Sequence, residues 1–109
     1  RRSIDGLMDR ALSEAEVAAI ERTLAEAAPP GCFHSKLTTR AAGALHFAHI
    51  ELCVPGDWTV AEAHAVADAL ERVVLERTGT RLATHLEPIP PTILQGGEGH
   101  PDRASAARP

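Results

Sequence analysis

Apolar residues recur at helical spacing in two stretches of the chain and alternate with polar ones in a third. Val17, Ile20, Leu24 and Ala27 fall three or four residues apart, the spacing of one face of an α-helix. Ser13 followed by Glu16 predicts a capping box at its start. Pro29-Pro30-Gly31 predicts its stop, because proline cannot continue a helix and glycine tolerates the turn. Ala63, Val66, Ala67, Leu70, Val73 and Val74 outline a second helix, opened by Thr59 with Glu62 and closed at Gly79. Leu45 to Val54 reads instead as a strand. Ala48, Ile50, Leu52 and Val54 line one face, and Phe47, His49, Glu51 and Cys53 the other.

Cys32 to Arg40 predicts a further strand, joined to Leu45–Val54 as a hairpin through the small residues 41–44. A last short strand runs from Leu82 through Glu87. The order helix, strand, strand, helix, strand predicts a two-layer α+β domain, a three-stranded sheet with both helices on one face. A helix between the second and third strands suits a right-handed crossover. Residues 48, 50, 52 and 54 then meet the helices. Residues 47, 49, 51 and 53 face outward with His85 and Glu87. Residues 1–12 read as a lead-in with partial helical character, 13–90 as the domain, and 91–109, rich in Gly, Pro, Ala and charge, as a disordered tail.

Composition narrows the function classes. A chain of 109 residues holds one small domain. Its apolar content is built from Ala, Leu and Val, with 2 Phe, 1 Trp and no Tyr. A core of such small side chains buries little area per residue, so a second copy or a bound metal is expected to add stability. A net charge of -4 argues against a nucleic-acid partner, which demands a basic face. Cys32 and Cys53 make no disulfide framework and read as reduced thiols. No apolar run reaches the roughly 18 residues of a membrane span. The start at Arg1-Arg2, without an initiator Met, reads as a processed piece or excised domain. No glycine-rich phosphate loop and no nucleophile-base pattern is present, so no enzyme is expected.

The candidate chemistry lies in the histidines. In an extended strand His85 and Glu87 share a face while Leu86 takes the other. An imidazole and a carboxylate side by side are a two-pronged site for a divalent metal such as zinc. His49 and Glu51 repeat that geometry on the neighbouring strand. The ordinary alternatives are an exposed pair at a strand end and a solvated polar strand face. His64 lies on the second helix, where a partly buried, hydrogen-bonded histidine is equally common. His46 falls in phase with the apolar row, at the core edge. Cys53 shares parity with Glu51, as a thiolate donor or a buried thiol. Trp58, in the turn after Pro55 and Gly56, packs that turn or serves an interface.

Leu7-Met8-Asp9-Arg10-Ala11-Leu12, Val54-Pro55-Gly56-Asp57-Trp58-Thr59-Val60, Ala63-His64 and Thr84-His85-Leu86-Glu87-Pro88 occur in that order. In these motifs, over residues 4–90, the chain resembles the C-terminal cytoplasmic domain of the cation diffusion facilitator family. The resemblance implies a ferredoxin-like, metallochaperone-like αββαβ fold, homodimerisation, and attachment to a transmembrane domain of the same parent protein in a bacterial inner membrane. It implies Zn2+, with Cd2+ or another divalent transition metal as alternatives, bound at the dimer interface so as to favour the transport-competent dimer.

The implied metal ligands are His85, Glu87, Glu51, His49, His64 and His34. His85 matches the family's third-strand histidine, Glu87 the acidic residue beyond it, and His64 the histidine near the start of the second helix. The first-strand histidine position holds Ser35, one place after His34, which needs a bulge or slip in its strand to reach that position. The second-strand histidine position holds Glu51, two places after His49 on the same face. A carboxylate for an imidazole is tolerable to zinc and favours harder ions slightly. Neutral imidazole and ionised carboxylate are needed, so binding is expected to weaken below about pH 6. The alternatives are a metal-independent dimerisation domain of the same transporter type and a small-molecule-binding ferredoxin-like regulatory module.

Overall fold

The computed structural model describes residues 9–89. The tail expected over 91–109, with His100, and all of the lead-in before Asp9 lie outside the described residues. Strand β1 (Asp9–Arg10) is followed by helix α1 (Glu14–Ala27), strands β2 (Phe33–Ala42) and β3 (Leu45–Val54), helix α2 (Val60–Thr78) and strand β4 (Thr80–Pro88). The sheet order is β1-β2-β3-β4. β2 is antiparallel to β3, and β4 runs parallel to β3. The αββαβ pattern is as the periodicity predicts, and the two-layer ferredoxin-like α+β fold is the one the resemblance implies, with β1 added at the edge of the expected three strands.

Three boundaries differ from expectation. Asp9–Arg10 is extended rather than helical, because its backbone finds partners on the edge of β2, with Asp9 opposite Ala42 and Arg10 opposite Ala41. Ala41 and Ala42 belong to β2, so the hairpin loop shrinks to Gly43-Ala44. Gly43 has φ +61, which the first central position of the tightest hairpin loops requires. β4 begins earlier than expected, at Thr80, directly after the turn at Gly79.

Local chemistry sets the helix ends. Ser13 Oγ accepts from the Glu16 N–H, and Glu16 Oε1 accepts from the Ser13 N–H at 2.8 Å. The Ser13 backbone donor holds the Glu16 carboxyl below the ordinary carboxylate range. Its help to folding is present above that range and is lost as pH falls through the lowered folded value. Thr59 and Glu62 form the same reciprocal pair at the start of α2. At the far end Gly79 (φ +73) is left-handed, and its N–H donates to the Leu75 carbonyl at 2.9 Å. The single residue Gly79 separates α2 from β4.

One apolar layer lies between helices and sheet. Ile20 and Leu24 from α1, Ala63, Ala67, Leu70 and Val74 from α2, Ala48, Ile50, Leu52 and Val54 from β3, and Leu82 from β4 are all buried. No aromatic ring is among these buried residues. Trp58 is half-buried and packs on the core from the turn before α2. No helix among the described residues is long and apolar enough to cross a membrane.

Leu70 is among the largest fully buried side chains, and Leu70→Ala is expected to lower stability by about 2–5 kcal/mol. Thr59→Ala removes one half of a capping box and is expected to cost about 1 kcal/mol. Urea unfolding of both variants checks the two magnitudes and their order.

Candidate metal centre on the open sheet face

The sheet turns its second face away from both helices, and strand pairing arranges that face in rows. Parallel pairing sets His85 beside Glu51 and Glu87 beside Cys53. Antiparallel pairing sets Ser35 on the other side of Glu51 and Phe33 on the other side of Cys53. His49 stands one row further along β3, between Thr38 and Ala83. Adjacent strands lie about 4.8 Å apart, so the Glu51 and His85 side chains start within bridging distance of one ion.

The His85 ring nitrogen Nε2 is 2.6 Å from Glu87 Oε2. Both side chains are open to solvent, at 56% and 44% exposure. Glu51 is more enclosed, at 25%, and its Oε2 accepts from Lys36 Nζ at 3.4 Å. His85, Glu87 and Glu51 together offer one imidazole nitrogen and two carboxylates. That donor set fits zinc and other borderline to hard divalent ions. Among the described residues no three His, Cys, Asp or Glu side chains of one chain converge on a single point.

The remaining sequence candidates are distributed differently. His34 pairs with Leu52, in the row that faces the helices, and its Nε2 lies 2.7 Å from Glu21 Oε1 on α1. A bulge is present in β2, but it falls between Ser35 and Thr38, after His34, and leaves that imidazole on the helix side. His64 is exposed on α2, across the sheet from His85. His46 is half-buried beside α1, with Nε2 3.8 Å from Glu16 Oε2. Cys53 is half-buried in the outward row, next to Glu87. Burial pushes the Cys32 thiol up, away from the thiolate form that binds metal.

Two features of this face were not anticipated from the sequence. One is Lys36, whose contact with Glu51 depends on the bulge. The other is the placement of Arg40 and Arg81 on either side of Phe47, itself expected on this face, by the pairing of β2, β3 and β4. The Arg40 guanidinium stacks 4.2 Å from the centroid of the Phe47 ring. With Thr38, His49 and Ala83 this row lines a shallow groove of about 410 Å³. Parity on β3 and β4 was signal enough for Phe47 and Arg81. The register of β2 was needed for Arg40.

Comparison with known proteins agrees with the fold. An uncharacterized transporter of Synechocystis sp., sll1263, is 37% identical over 111 residues, covering all of this chain and 34% of that protein. The chain thus spans about a third of the length of the curated relative it matches. A solved structure of CzrB is 34% identical with TM-score 0.68, covering 73% of this chain and 100% of that one. CzrB in its zinc form is 36% identical with TM-score 0.67, covering 74% and 93%. The metal-bound C-terminal domain of the CzcD transporter from Thermotoga maritima shares the fold at 20% identity and TM-score 0.62, covering 71% of this chain and 94% of that one. Residues 12–89 match the family model described as cation efflux protein, cytoplasmic domain. The chain belongs to this family of cation efflux cytoplasmic domains.

Proposed function

We propose that the domain is the regulatory cytoplasmic part of a zinc-type divalent-cation exporter and binds metal where two copies meet. The observation that carries this reading is the placement of Glu51, His85 and Glu87 on the sheet face left open by both helices. The zinc form of CzrB, 36% identical to this chain, supports zinc as the first ion to test. One chain offers an incomplete donor set, so a second copy is the simplest source of the missing ligands. Two identical chains pair most readily about a two-fold axis, which presents the same patch from each side.

The domain itself catalyses nothing. Its contribution is linkage: an ion held by ligands from both copies binds the closed pair better than the open one, so rising metal shifts the population toward the closed form. His49, one row from Glu51 on the same face, is the next ligand in reach. His64 joins only if the partner copy brings it to this face. His34, engaged by Glu21, stays outside the set. Residues 1–12 then lead from the parent transporter's membrane part, in a bacterial inner membrane, and residues 13–90 form the sensing domain.

A second reading, a dimerisation domain that does not sense metal, is favoured by two observations. Lys36 already occupies a Glu51 oxygen, and among the described residues no three donors of one chain converge.

A melting titration separates the two readings. Zinc at a hundredfold excess over its Kd is expected to raise Tm by roughly 10–20 °C, and His85→Ala is expected to remove most of that rise. A melting curve indifferent to zinc leaves only the second reading. Sedimentation equilibrium is expected to show reversible dimerisation that zinc tightens, and a sharp monomer mass with and without zinc overturns both.

A further inference from the structure

The bulge in β2 does more than interrupt a ladder. Ser35 lies opposite Glu51, and the next paired residue, Thr38, lies opposite His49. Lys36 and Leu37 therefore share the space facing Ile50 alone. Leu37 turns inward and packs on the core. Lys36 turns outward with φ +56, a left-handed conformation that glycine and asparagine occupy far more readily than lysine. Its ammonium reaches Glu51 Oε2 at 3.4 Å.

We infer that Lys36 is a built-in competitor for the metal site, and that it sets the metal concentration to which the domain responds. The inference rests on the reading of Glu51 and His85 as ligands. Without metal, the ammonium neutralises the more enclosed of the two carboxylates. A divalent ion that takes Glu51 must displace that ammonium or sit beside it against charge repulsion. A monovalent ammonium holds only one carboxylate, whereas a divalent ion can take Glu51 together with His85 beside it and donors from a second copy, so the metal wins once its concentration is high enough. The Lys36 side chain is 71% exposed, and its long stem can swing into water without disturbing the sheet. Lys36 therefore raises the threshold rather than closing the site. Exposed ion pairs and screened repulsion are each modest, and together they correspond to about a tenfold change in apparent Kd.

Calorimetric titration with zinc tests this on the wild-type chain, Lys36→Asn, Lys36→Arg, and Glu51→Gln with and without Lys36→Asn. Asparagine tolerates the left-handed backbone, and a melting curve without metal confirms that the variant folds. Lys36→Asn is expected to lower the zinc Kd about tenfold, while Lys36→Arg keeps the charge and stays near wild type. The gain should vanish in the Glu51→Gln background, which a merely structural effect of residue 36 would not produce. If zinc binds the wild type and His85→Ala abolishes binding, but Lys36→Asn leaves Kd unchanged, the role of Lys36 is overturned and the metal site stands. If zinc binds neither the wild type nor Lys36→Asn, the metal site falls and Lys36 falls with it.

Discussion

The two-faced alternation of β3 is the constraint on which the rest depends. Ala48, Ile50, Leu52 and Val54 are buried under the helices, and that burial fixes which way every other residue of the strand points. A slip of one residue would drive Glu51 into the apolar layer and put Ile50 in water. Because β3 is paired on both sides, its phase passes to its neighbours. His85 stands beside Glu51 and Glu87 beside Cys53 only because Leu82 and Leu86 follow the same inward phase on β4. The polar face is thus positioned by the apolar one.

Much of this was legible in the chain. Both capping boxes, the left-handed Gly79 and the alternation from Leu45 to Val54 are short-range signals with a direct mechanical meaning, and each marks an element where it stands. The shared outward face of Glu51 and His85 was within reach for the same reason, since parity on two regular strands places both there, while their side-by-side pairing needed the register. Membership of the cation efflux family, read from four motifs in order, agrees with the matched span of residues 12–89.

What escaped prediction depends on contacts distant in sequence. β1 is two residues long and carries no periodicity, so only the edge of β2 defines it. Ala41 and Ala42 have the composition of a turn, yet tertiary pairing draws them into the strand. The side taken by His34 and the outward course of Lys36 both hinge on where the bulge falls. A left-handed lysine leaves no trace in composition or spacing. The faces taken by side chains on β2 were therefore not legible, while the shared face of Glu51 on β3 and of His85 and Glu87 on β4 followed from alternation.

The lone glycine between α2 and β4 carries a mechanical consequence. Thr80 begins the strand one residue after the helix ends, and its N–H is held by the Thr78 hydroxyl at 3.2 Å. The connection has no slack, so the first residue of the strand that bears His85 is tied directly to the last turn of the helix behind it.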